Sequence, residues 1–218
     1  MIRAVLLVCA VALAAAAAAQ ARDPAQHHTA ADMKRAKALA LRRSDLAAGW
    51  TTEKPSKPTP PCTAGPDESK LVQTARVDPS FTWKDGITSV GSEIDIFRSA
   101  REARLDWKYS TIGLMSTCLL QSAHATLAKS VHMTLKSAKR LPPPKGVERG
   151  LHYRFVFTLH SKQTVELVAD VVAIGRGRIS SVLHTLTVRA PLPPVVVNSL
   201  VGVLAHRLGT TSPSGPTA

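Results

Sequence analysis

The strongest constraint on this chain's fold lies between residues 151 and 188. Leu151, Tyr153, Phe155, Phe157 and Leu159 alternate there with His152, Arg154, Val156, Thr158 and His160. Alternation with a period of two marks a β-strand. Residues 164–174 and 178–188 follow in the same manner and read as a hairpin about Arg176-Gly177. That turn sets Leu167 opposite Leu186, Ala169 opposite His184 and Val171 opposite Val182. The other side of these strands holds Val168, Val172, Ile174 and Leu183. Both faces are partly apolar, so helices are expected to cover each of them.

The rest of the chain supplies those helices. Thr29 with Asp32 three residues on makes a capping box that opens a helix reaching about Arg43. Pro55, Pro58, Pro60 and Pro61 then forbid helix, and Pro66 begins a short helix over about 67–76. Asp85-Gly86 joins two strands, Ser80 to Lys84 and Ile87 to Arg98. Ser99 with Glu102 caps a helix that passes Trp107, bends near Gly113 and continues to Leu119. Val131, Met133 and Leu135 alternate as a further strand, and a last helix runs from Pro194 to Leu208, stopping at Gly209. The expected fold is α+β, a three-layer α/β/α sandwich around a mainly antiparallel sheet of about six strands. It forms a single domain over residues 29–209, after a flexible leader at 22–28 and before a disordered tail at 210–218.

The first 21 residues read differently. Arg3 precedes an apolar run from Ala4 to Ala19, and Ala19-Gln20-Ala21 gives a small-x-small exit. This is the layout of a secretory signal peptide, with cleavage expected after Ala21. The run of about 16 residues is shorter than the roughly 20 needed to span a bilayer, and no later segment is long and apolar enough to do so. Export places the mature chain outside the cell or at its envelope. Cys9 leaves with the signal, and Cys62 and Cys118 can then form one disulfide in an oxidising compartment.

The charge balance narrows the partners. The chain has 28 Lys+Arg against 15 Asp+Glu, a formal net charge of +13. The basic residues are spread out and carry no pattern of interleaved aromatics, which argues against nucleic acid. A small molecule or an anionic envelope polymer or headgroup is the expected partner class. His27-His28 is an isolated tandem, and His152 and His160 lie eight residues apart on one strand, about 26 Å at full extension, so no metal site is expected. There is no G-x-S-x-G or H-E-x-x-H motif and no nucleotide-binding loop, so neither catalysis nor a cofactor is expected. Glu93 and Asp95 read as solvated strand residues. His184 on an apolar face, with Tyr153 and Arg154, marks the expected ligand cleft.

A set of short motifs then carries a resemblance. Asp45-Leu46-Ala47-Ala48-Gly49-Trp50-Thr51, a proline-rich loop with a cysteine, Phe97-Arg98-Ser99-Ala100, and Thr117-Cys118-Leu119 resemble the PknH-like extracellular sensor domains of actinobacterial envelopes. That resemblance implies an antiparallel sheet flanked by helices, a cleft, and a non-enzymatic ligand-binding or sensor-like role. This chain departs from that family in having one possible disulfide where the PknH-like domain has two. The architecture is also similar to PsbP/Mog1-like α/β/α proteins. The competing readings are a hydrolase with an unrecognised site and a structural or protein-interaction module.

Overall fold

The computed structural model describes residues 23–54, 62–127, 131–161 and 163–210. The expected signal peptide and most of the tail lie outside them. The elements run β1 (Ala25–Gln26), α1 (Ala30–Leu39), a 3-10 turn (Arg43–Asp45), β2 (Trp50–Thr52), β3 (Val72–Val77), β4 (Ser80–Trp83) and β5 (Ser89–Phe97). Then follow α2 (Ala100–Tyr109), α3 (Ile112–Thr126), β6 (His132–Arg140), β7 (Arg149–His160), β8 (Thr164–Arg176), β9 (Ile179–Val188) and α4 (Pro194–Thr210). The strands form one sheet in the order β1-β3-β5-β9-β8-β7-β6, with β4 also on β5 and β2 on β4. Only the β1–β3 pairing is parallel among the described strands.

Each face of the sheet has its own core, as two-sided apolar strands require. On one face Phe155, Phe157, Leu159, Leu167 and Val171 pack with Leu119 and Ala123 of α3. On the other, Ile94, Ile96, Val172 and Leu183 pack with Ala36 and Leu39 of α1 and Leu200 and Leu204 of α4. Two bidentate ion pairs brace the second face. Arg178 grips the Asp32 carboxylate at 2.6 and 2.9 Å, and Arg207 grips Asp45 at 2.7 and 2.9 Å. Fork-to-fork pairing of this kind fixes orientation as well as supplying attraction.

Several sequence expectations need correction. Among the described residues the sheet has nine strands where about six are expected, because β1, β2 and β3 are too short or too irregular to show alternation. The leader at 22–28 contains β1, which is tied to β3 by Ala25 N–H to Leu71 O and His27 N–H to Gln73 O, both 2.8 Å. Residues 67–76 do not form a helix; Val72–Val77 is strand β3. Its alternation is broken by a bulge between Gln73 and Ala75, which hides the period of two. Helix α1 stops at Leu39, not Arg43, since Ala40 turns extended and Leu41 N–H bonds the Ser92 hydroxyl at 2.9 Å. The expected bent helix is two helices, with Thr111 capping the second through Leu114 N–H. The β8–β9 hairpin turns at Gly177-Arg178, so Ala169 faces Leu186 and Val171 faces His184. That shift of two residues leaves every side chain on its expected face.

Cys62 and Cys118 are disulfide-bonded and buried, with Cα atoms 5.2 Å apart and a sequence separation of 56. The bond fastens the chain after the proline-rich segment to α3. Closing a loop of that length stabilises the fold by about 4 kcal/mol on the chain-entropy model. Replacing both cysteines with alanine should therefore lower the unfolding free energy by about 2–4 kcal/mol. Urea melts with and without reductant test this, and a wild-type midpoint indifferent to reductant would contradict it.

Candidate functional site

A single inserted residue prepares the site. In an unbroken strand, Gln73 and Arg76 would face opposite sides, being three residues apart. The bulge at Thr74 resets the alternation, so both project to the face that β5 lines with Glu93 and Asp95. Gln73 donates to Asp95 Oδ1 at 2.9 Å, and the Arg76 guanidinium lies 3.1 Å from Glu93 Oε2. Gln26 of β1 donates to the Gln73 side-chain oxygen, so the N-terminal strand extends this polar chain outward.

The sheet leaves room beside these groups. Arg76, Asp95, Ser180, Gly175 and Arg149 follow one another across β3, β5, β9, β8 and β7. The middle of that row is small, and α2 passes above it. A cavity of about 40 Å³ results, lined by Glu68, Glu93, Asp95, Asp106, Arg76 and Trp107 among others. That is space for a few waters. Four carboxylates thus line one small pocket on an otherwise basic protein.

Electrostatics follow from that crowding. Burial, reinforced by Asp95, pushes the Glu93 carboxyl well above the usual carboxylate range. Asp95 is also raised by burial, although Arg76 pulls the other way. Burial and the Glu93 charge lift Asp106 to about 7. Burial alone would lower Arg76, but Glu93 and Asp95 hold its guanidinium firmly charged. Glu93 and Asp95 are 4% and 7% exposed, so the sequence reading of solvated strand residues is overturned. Their alternation with Ile94 and Ile96 gave no warning, because α2 covers their face.

No family model matches this chain, and no curated protein matches it. Among solved structures, it is similar to the extracellular domain of PknH from Mycobacterium tuberculosis. The TM-score is 0.47 at 13% identity, covering 81% of this chain and 94% of that one. The likeness is distant and assigns no function.

The three residues expected to share a cleft do not line this pocket. Tyr153 is buried in the core, with its hydroxyl donating to Ser110 O at 3.3 Å. Arg154, its neighbour on β7, necessarily faces the other side of the sheet, where it clasps Asp170 at 2.7 and 2.9 Å. Burial would raise Asp170, yet the neighbouring His152 ring and the Arg154 hydrogen bonds outweigh it and hold the carboxyl low. His184 shares the Tyr153 face but is separated from it by Val171 of β8. It is fully enclosed, neither ring nitrogen has a partner among the described residues, and burial pushes it down to about 4. Its ring lies over Gly91, where an added Cβ would sit 2.1 Å from Nε2. Among the described residues, no group of three or more His, Cys, Asp or Glu is placed to hold a metal ion.

Two outcomes follow from these environments. Asp106 binds its proton more tightly folded than unfolded, so its contribution to stability is full below about pH 4 and is lost as pH rises towards 7. Chemical melts across that window should show the wild type losing stability on the order of 1 kcal/mol more than Asp106→Asn. Glu93 and Asp95 share this sign, so the slope of the variant shrinks without vanishing; equal slopes would refute the assignment. Separately, Gly91→Ala should destabilise by about 1–3 kcal/mol through overpacking. Combining it with His184→Ala should recover part of that loss, and strictly additive losses would deny the contact.

Proposed function

We propose that this chain is an exported, non-catalytic, sensor-like binding domain whose responsive site is the acidic pocket between β3, β5 and α2. The observation that carries this reading is the convergence of Glu68, Glu93, Asp95 and Asp106 around a solvent-sized cavity, with Arg76 among them. Export is supported by the signal-like residues 1–21 and by the Cys62–Cys118 disulfide, which suits an oxidising compartment. No described helix is long and apolar enough to cross a membrane. The motifs at 45–51, 97–100 and 117–119 support the sensor-like role.

The pocket narrows the ligand further than the overall charge does. A cavity of about 40 Å³ is far below the 300–1,000 Å³ of ordinary small-molecule sites. It suits one compact group, and its carboxylates favour a cation. The ligand is thus the ammonium or guanidinium end of a larger envelope molecule. The spread basic surface outside the pocket remains free for anionic polymers or headgroups.

A second reading has one observation behind it. Glu93 and Asp95 sit two residues apart on one buried strand and line the same cavity as Asp106, which is raised to about 7. Paired carboxylates with separated proton affinities are the raw material of acid–base hydrolysis. Titrating the isotope-labelled protein with methylammonium and putrescine separates the two. Binding predicts saturable shifts in β5 and α2 amides that vanish in Glu93→Gln/Asp95→Asn. Shifts that never saturate, or that persist in the variant, would reject the cationic site. Product release from glycan or peptide fragments by the wild type alone would favour the hydrolase.

A further inference from the structure

We propose a solvent-facing transition-metal site at the β6–β7 edge, built from His132 and His160. The two histidines are direct cross-strand partners. They lie 28 residues apart in sequence, so no spacing along the chain announces them. Directly opposed side chains on one face have Cβ atoms about 4.5–5.5 Å apart. At that separation two imidazoles can reach one ion at the usual Zn–N distance of about 2.0–2.1 Å.

The surroundings favour this arrangement. The His160 Nε2 lies 3.3 Å from the Thr134 hydroxyl, two residues along β6 from His132 and on the same face. The His160 ring is therefore already drawn across the strand boundary toward β6. Among the described residues, Lys136 of β6 has its ammonium paired with the Glu166 carboxylate. That pairing reduces the repulsion an incoming metal ion would meet. Both histidines are exposed, so water can fill the remaining coordination positions. Imidazole pairs suit Zn²⁺, Cu²⁺ and Ni²⁺, whereas Mg²⁺ and Ca²⁺ prefer oxygen ligands. The site binds the first group and spares the second.

This inference is independent of the acidic pocket, which lies at the opposite end of the strand order. Its test is calorimetric titration of the full chain with ZnCl₂ at pH 7.5, together with histidine-ring NMR. His27-His28 could hold zinc as well, so His27→Ala/His28→Ala serves as the working background. One zinc equivalent should bind that background and shift the His132 and His160 ring signals together. Loss of an outer-shell partner typically costs 10–100-fold in metal affinity, so His132→Ala or His160→Ala should cost at least about tenfold. Both positions are exposed, and unchanged circular dichroism will show that the fold survives. MgCl₂ should leave the His132 and His160 ring signals unmoved. Zinc binding undiminished in His132→Ala/His160→Ala, or absent from the background protein, would overturn the proposal.

Discussion

The central strands are apolar on both faces, and most of the architecture answers that constraint. Val172, Ile174 and Leu183 need one helical layer, while Leu167, Val171 and Leu186 need another. Burying both sides of a sheet removes water from any polar group caught beneath a helix. Glu93 and Asp95 are such groups. Ile94 and Ile96 hold β5 in the α1/α4 core, which forces their neighbours under α2. The pocket is therefore a by-product of the same two-sided burial that gives the protein its stability.

The sequence was most legible where periodicity was unbroken and caps were local. The long strands β7, β8 and β9 and the turn at Asp85-Gly86 could all be read directly. Thr29 and Ser99 cap their helices through Asp32 N–H and Glu102 N–H. Elements defined by distant contacts were not legible. Strand β1 is two residues long and exists because β3 offers it carbonyls. The end of α1 is set by Ser92, more than fifty residues away.

The candidate site was hidden for related reasons. Tyr153, Arg154 and His184 drew attention because they are chemically versatile residues on strongly patterned strands. Tyr153 meets a backbone carbonyl, Arg154 a buried carboxylate, and His184 lies enclosed over Gly91. The carboxylates of β5 looked ordinary because alternation reports which face a residue occupies, not what covers that face. A signal did exist in the clustering of Glu93 and Asp95 two residues apart with Arg76 and Asp106 nearby in sequence. Only the sheet register and the position of α2 give it meaning.

Thr74 carries a consequence for how such a site changes over time. Because it occupies a bulge, the strand on either side keeps its own phase. Removing Thr74 would leave Gln73 and Arg76 two residues apart in an unbroken strand, both still facing Glu93 and Asp95. Straightening the strand without losing a residue would do the opposite and turn Arg76 to the other layer. The carboxylates would then stay in place and lose their resident cation. The charge balance of the site thus depends on a backbone irregularity and not only on the side chains that line it.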